Sequence, residues 1–313
     1  MHQLLSSNRN FNFMGRRRLA LAVSGVLIVV SLVSLLLRGL SFGIDFTGGT
    51  LIEVGYEQAV ELEQVRRVLA ESGFEEAQVQ QFGTPQDLLI RLAPREGVKS
   101  SELSDKVFAA LSKAADGRVE LRRVEFVGPQ VGDELTEDGA LAVLVALMAI
   151  LMYVAVRFEW RFAVGSVAAL VHDVTLTLGF FSITQLEFDL TVLAAVLAVI
   201  GYSLNDTIVV FDRIRENFRK IRKGTPEEVI NTSINQTLSR TLITSLTTLV
   251  VLLALFFLGG EIIHNFSLAL ILGIVVGTYS SIYVASTAAL MLGVSKADLM
   301  PVQKEGAQID DMP

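Results

Sequence analysis

Two residues have types and positions that call for a chemical explanation: Asp206 and Arg240. Asp206 stands inside the apolar stretch Leu190–Phe211. A carboxylate at the centre of a membrane-spanning helix costs about 2.5–3.5 kcal/mol on insertion scales, so it usually faces the helix bundle and marks an ion or proton path. Arg240 lies just inside the next apolar stretch. Each residue is 17 positions from Lys223, beside Gly224. Helices running antiparallel from that turn would set the two at equal depth, where they can pair. Arginine keeps its proton, so Asp206 is the group that toggles. Ionised it would hold Arg240, and protonated it would release it, which turns a bound proton into motion. The alternative is a static ion pair that only fixes helix packing.

Other polar residues compete for or share this work. His172 and Asp173 lie near the middle of another apolar stretch, and Asp173 is deeper than Asp206, so it is a second candidate proton carrier or a relay member. Tyr202 and Ser203 precede Asp206 by about one turn and are expected to hydrogen-bond it. Thr237, Thr241, Thr244 and Thr248 share one helical face beside Arg240. They would either line a hydrated path or bond between helices. Gly273 and Gly277, followed by small residues at four-residue steps, form a close-packing stripe. No catalytic constellation is present: no P-loop, no nucleophile elbow and no H-E-x-x-H. The chain has no cysteine, and its three histidines lie far apart, so no metal site or cofactor is expected. The coupling ion would be H⁺, although Na⁺ would meet the same carboxylate.

The elements that must position these residues are membrane helices. Half of the 313 residues are hydrophobic, and the mean hydropathy is +0.53. Clustering decides more than the fraction does, because runs of 18 or more apolar residues can each cross a hydrocarbon core of about 30 Å. Six spans are expected, at 19–38, 139–156, 162–184, 190–211, 237–258 and 266–293. Arg16-Arg17-Arg18 precedes the first, which has neither the short apolar core nor the cleavage site of a signal peptide; it reads as an uncleaved span. A helix starts at Thr225-Pro226-Glu227-Glu228, with threonine as cap, proline in the first turn and acids at the positive end.

Between the first two spans, residues 41–135 read as a small α+β domain of order βαββαβ. Strands are expected at Thr50–Tyr56, Ala77–Phe82, Leu88–Leu92 and Val119–Val127, with helices at Val60–Ser72 and Ser101–Ala115. A Gly-Thr-Pro turn separates the middle strands. This order suggests a ferredoxin-like split sandwich, read here as a folding and contact module. The net charge of −7 falls entirely on this segment, which holds 17 acidic and 10 basic side chains. The basic loops, 157–161 and 212–223, share a side with the basic N-terminus, and the acidic segments take the other. The positive-inside rule then puts 1–18 and the tail 294–313 in the cytoplasm and the α+β domain outside it. The basic cluster is explained by topology and contact with membrane lipid, with no need for nucleic acid.

Several segments together resemble one family. Phe42-Gly-Ile-Asp-Phe-Thr-Gly-Gly-Thr50 is similar to the motif that follows the first span in the SecD/SecF protein-export proteins; Gly43, Asp45, Phe46, Gly48 and Gly49 carry the likeness. Val127–Leu135, Arg157-Phe-Glu-Trp-Arg161 and His172-Asp173 resemble the same family, as does, most specifically, Ile200–Asn217. The resemblance covers nearly the whole chain and fits the member type with the smaller outer domain. It implies a polytopic α-helical membrane protein in the bacterial inner membrane, with six helices forming an RND-type half-bundle that joins SecD in a twelve-helix, pseudo-symmetric assembly. It further implies work with the SecYEG channel, with SecA and YajC as further partners, in moving unfolded preproteins outward on the proton gradient. Asp206 and Arg240 match the intramembrane acid and arginine of the family. Two other classes are weighed against this: an RND-type exporter of small molecules or lipids, and a passive scaffold of the channel.

Overall fold

A computed structural model describes residues 10–94, 100–221 and 223–295. Most of the expected cytoplasmic tail, the first nine residues and Arg222 of the basic cluster lie outside the described residues. Among the described residues, six helices are long and apolar enough to cross a membrane. They are α1 (Arg17–Arg38), α5 (Pro129–Arg157), α6 (Trp160–Thr184), α7 (Leu190–Lys220), α8 (Pro226–Leu258) and α9 (His264–Met291). Several run past the expected spans. α5 starts at Pro129, so residues 129–135 are helix and not part of the α+β domain; Pro129 supplies the first turn, where its missing N–H costs nothing. α7 continues nine residues beyond Phe211, and α8 is already helical at Pro226. Thr225 and Glu228 form a capping box there, each side chain meeting the other's backbone N–H.

The helices divide into a centre and a rim. Half of the apolar window of α6 and of α7 is buried within the protein, and 44% of that of α9, against 11% for α1 and α5 and 17% for α8. The three central helices carry His172, Asp173, Asp206 and Ser280, and the outer faces of the others present apolar side chains such as Leu144, Met148 and Met152. The pattern follows the helical period: on α7 the buried positions include Val196, Val199, Ile200, Ser203, Asp206, Thr207, Val210 and Phe211. Gly179 lets α6 close on α1, where a Cβ would lie 2.8 Å from Ser31 Cα. Gly273 and Gly277 let α9 close on Val199 and Ser203 of α7, which is how the small-residue stripe packs.

The α+β unit holds β2 (Gly49–Tyr56), α3 (Leu62–Glu71), β3 (Gln78–Phe82), β4 (Thr84–Leu92), α4 (Ser100–Ala114) and β5 (Val119–Val127). The sheet order is β3-β4-β2-β5, with every neighbouring pair antiparallel. Each strand-helix-strand unit thus straddles a strand of the other, as in a split βαβ sandwich. Ile52, Val54, Leu88 and Ile90 meet Val65, Leu69, Val107 and Leu111 in its core. The expected Gly-Thr-Pro turn is tighter than read: Phe82 pairs with Thr84, leaving Gly83 at the bend, and β4 begins four residues earlier. Pro85 falls in a stretch of β4 without a cross-strand register partner, where its missing N–H does no harm.

The segment Phe42–Gly49, which includes the one-turn helix α2 (Ile44–Thr47), is a joint between this unit and the bundle. β1 (Ser41–Phe42) pairs in parallel with β6 (Glu187–Phe188), the turn between α6 and α7. The Gly43 N–H donates to Phe188 O at 2.9 Å, and Asp45 accepts from the Leu190 N–H at the start of α7, also at 2.9 Å. Phe46 is buried with Phe181, Phe188 and Val192. Gly49 has φ +129°, and a Cβ there would sit 2.5 Å from Leu92 O, so a side chain fails on both conformation and space. Arg91 of β4 donates to Phe42 O and pairs with Glu187 at 2.5 Å. Burial nevertheless pushes the Glu187 carboxyl above its ordinary 4.5; Arg91 opposes this, while Asp189 and Asp45 add to it.

Two expectations arise here. Gly179→Ala should lower stability by about 1–3 kcal/mol through overpacking, read as a lower thermal midpoint in detergent, whereas Gly25→Ala, with open space around it, should not destabilise. The folded state also holds the Glu187 proton more tightly than the unfolded chain, so this contribution is fully present below pH 4.5 and is lost as pH rises through the folded value. The midpoint of Glu187→Gln relative to the native chain should therefore climb across that window.

Candidate functional site

The centre of the bundle holds two carboxylates in opposite circumstances. Asp173, on α6, is fully buried and well supplied with donors. Its Oδ2 accepts from Ser203 Oγ of α7 at 2.5 Å and from Ser280 Oγ of α9 at 2.7 Å. Its Oδ1 lies 2.9 Å from His172 Nδ1. The other ring nitrogen, Nε2, meets Ser24 Oγ of α1 at 3.1 Å. Ser24 in turn lies 3.1 Å from Tyr279 Oη, which donates to Ala20 O at 2.7 Å. One hydrogen-bonded chain therefore ties α1, α6, α7 and α9 together. Its α9 members stand at the edge of a π turn, Ser281–Ala285, a feature frequent at functional sites.

Asp206, one turn beyond Ser203 on α7, is 3% exposed, and its Oδ2 has no hydrogen-bond partner. The two residues expected to serve it do not. Ser203 turns to Asp173 instead, because its face of α7 looks toward α6 and α9, where Gly277 leaves room for it. Tyr202 Oη is buried without a partner.

Arg240 of α8 lies close enough for its charge to act on Asp206, but among the described residues no ion pair joins them. The expected direct contact is thus corrected to proximity. Arg240 is exposed and lines a cavity of about 740 Å³ with Arg157, Asp212, Asn205 and Thr237. A long arginine keeps its head in such a polar cavity because full burial would cost its hydration. Arg157 pairs there with Asp212 at 3.1 Å. The cavity reaches Asn205, the neighbour of Asp206 in the chain.

The threonine face is also corrected in part. Thr237 donates to Ser233 O and Ile234 O, and Thr244 to Arg240 O and Thr241 O, all within α8. These hydroxyls bond back along their own helix and not between helices. Thr237 lines the cavity, and Thr241 Oγ1 is buried without a partner. The bond that does cross to α9 joins Ser245 to Thr278 at 2.8 Å.

Ser24, Tyr279 and Ser280 were not singled out from the sequence. The available signal was weak: a Tyr-Ser-Ser run inside an apolar span and a lone serine in the first helix. Among the described residues, no group of three metal-ligating side chains comes together.

A family model for the protein export membrane protein SecD/SecF, C-terminal, matches residues 107–295, and one for the SecD/SecF GG motif matches residues 33–60. The chain is 55% identical to the protein translocase subunit SecF of Vibrio alginolyticus over all of both chains. It is 47% identical to that of Escherichia coli O157:H7, covering 98% of this chain and 96% of the relative. Among solved structures it resembles SecDF of Thermus thermophilus, described as a translocon-associated membrane protein, with TM-score 0.81 and 44% identity over 91% of this chain. It resembles a SecDF in the super-membrane-facing form less closely, with TM-score 0.69 and 42% identity. The chain spans 39% of each of those solved chains. Six apolar helices, a Gly-Gly joint and matches along nearly the whole sequence place it in a single group: the chain belongs to the SecD/SecF family of protein export membrane proteins, among its SecF subunits, and is a multi-pass transport component of the Sec pathway.

Proposed function

We propose that this chain joins a SecD partner in the bacterial inner membrane and uses the proton gradient to help draw unfolded proteins outward through the SecYEG channel. Asp206 carries the proton, and Arg240 is its fixed positive partner. SecA and YajC act alongside the same channel. The basic face bearing Arg157 and Arg213 lies in the cytoplasm with both termini, and the α+β unit lies on the far side.

The observation that carries this reading is the state of Asp206. A buried carboxylate with an unpartnered oxygen is costly unless its protonation is in use. Here it stands near a polar cavity and an arginine that acts on it without capturing it. Protonation would remove the attraction to Arg240 and let α7 and α8 shift; ionisation would restore it. The membrane potential contributes about 2.3 kcal/mol per charge per 100 mV to such a cycle. The joint at β1 and β6 supports transmission, since the start of α7 is bonded directly to Asp45 of the Gly-Gly segment. A movement of α7 would reach the α+β unit through that contact.

The test is Asp206→Asn in the reconstituted complex. The variant should fold and assemble normally, while proton flux under an imposed pH gradient and the stimulation of export both fall to the level seen without the chain. Export that continues undiminished would leave only a scaffold role. Flux that follows a sodium gradient instead would reassign the ion.

A further inference from the structure

The hydrogen-bond chain around His172 can be followed proton by proton. Tyr279 has one hydroxyl hydrogen, and it goes to Ala20 O, which can only accept. Ser24 therefore donates to Tyr279 Oη. Its single hydrogen is then used, so the contact with His172 must have Nε2–H as donor and Ser24 Oγ as acceptor. On the other side, Ser203 donates to Asp173 Oδ2 at 2.5 Å, and Ser280, whose one hydrogen has Asp173 Oδ2 at 2.7 Å and Gly277 O at 3.1 Å as acceptors, favours the nearer carboxylate. What remains is the 2.9 Å contact between His172 Nδ1 and Asp173 Oδ1. If Nε2 carries the hydrogen of a neutral ring, Nδ1 is a bare acceptor facing a carboxylate oxygen, and two acceptors at that distance repel. The contact is satisfied only when one further proton lies between them.

We propose that His172 and Asp173 jointly bind one proton, as a buried pair of zero net charge, separate from the proton carried by Asp206. Burial argues the same way. His172 is 2% exposed and Asp173 is fully buried, and no arginine or lysine pairs with either among the described residues. A lone negative charge there would have no cation to offset its desolvation. The groups facing the pair from its neighbours are Ser24 of α1, Ser203 of α7, and Tyr279 and Ser280 of α9; Tyr279 is the titratable one. Asp206 makes no hydrogen bond to it. The shared proton keeps every donor in the chain matched, and so fixes the register of four helices against one another. His172 and Asp173 are in this sense positioning residues. Loss of the proton would force the ring to its other tautomer, turn the Ser24 hydroxyl away from Tyr279 and loosen α1 from α9.

The inference does not depend on the export cycle, and its test reads the ring directly. With His2→Gln and His264→Gln, His172 is the only histidine left, and ¹⁵N spectra of the labelled full chain in detergent report its protonation. Nε2 should carry a proton, and Nδ1 should show the ¹⁵N shift of a ring nitrogen that shares a hydrogen with Asp173 Oδ1. Adding Asp173→Asn should leave a neutral ring with the proton still on Nε2, because the asparagine amide can donate to Nδ1 while its oxygen accepts from the two serines. A native ring whose Nδ1 shows the shift of a bare acceptor, or one that carries its only proton on Nδ1 in either protein, would overturn the proposal. Should the double substitution unfold the chain, the same signals follow from the native spectrum minus that of His172→Gln.

Discussion

A membrane interior offers polar groups no water, so each one must find its partner in the protein or bear the cost of having none. This chain meets that constraint in two ways within a few residues. Asp173 receives two hydroxyl donors and a ring nitrogen from three helices. Asp206, one turn from Ser203, has an oxygen with no partner and a charge nearby that does not close on it. The first arrangement locks helices together. The second leaves a buried carboxylate oxygen without a donor.

Close approach makes the rigid part possible. Hydroxyl bonds of 2.5 to 2.8 Å between helices require backbones nearer than large side chains allow. Gly277 faces Ser203, Gly273 faces Val199 and Gly179 faces Ser31. In a medium as apolar as leucine, such packing and such bonds replace the hydrophobic drive of a soluble core. The peripheral helices need less of this, and they keep apolar outer faces.

The same economy appears at the junction with the α+β unit. A carboxylate caps the start of α7 from a neighbouring segment, two glycines let backbone meet backbone, and a phenylalanine anchors the turn in the bundle. The Gly-Gly segment is thus a mechanical connection. It places the first turn of the helix that bears Asp206 in direct contact with the segment that leads into the α+β unit.

Much of this was legible in residue order. Six apolar stretches, a βαββαβ alternation and a carboxylate among hydrophobic neighbours are local or periodic signals, and period and length are properties of sequence. Helix ends were less legible: α5, α7 and α8 extend through polar residues that hydropathy assigns to loops, although the Thr225 cap was plain. The partners of the polar residues were not legible at all. Equal distance from a turn correctly brought Arg240 near Asp206, yet could not say that the arginine would keep its head in a polar cavity. Proximity in sequence suggested Ser203 for Asp206, but the rotation of α7 against α6 and α9 gave it to Asp173. Hydrogen bonding depends on ångströms and angles between residues as much as 259 positions apart, and only the packed helices determine those.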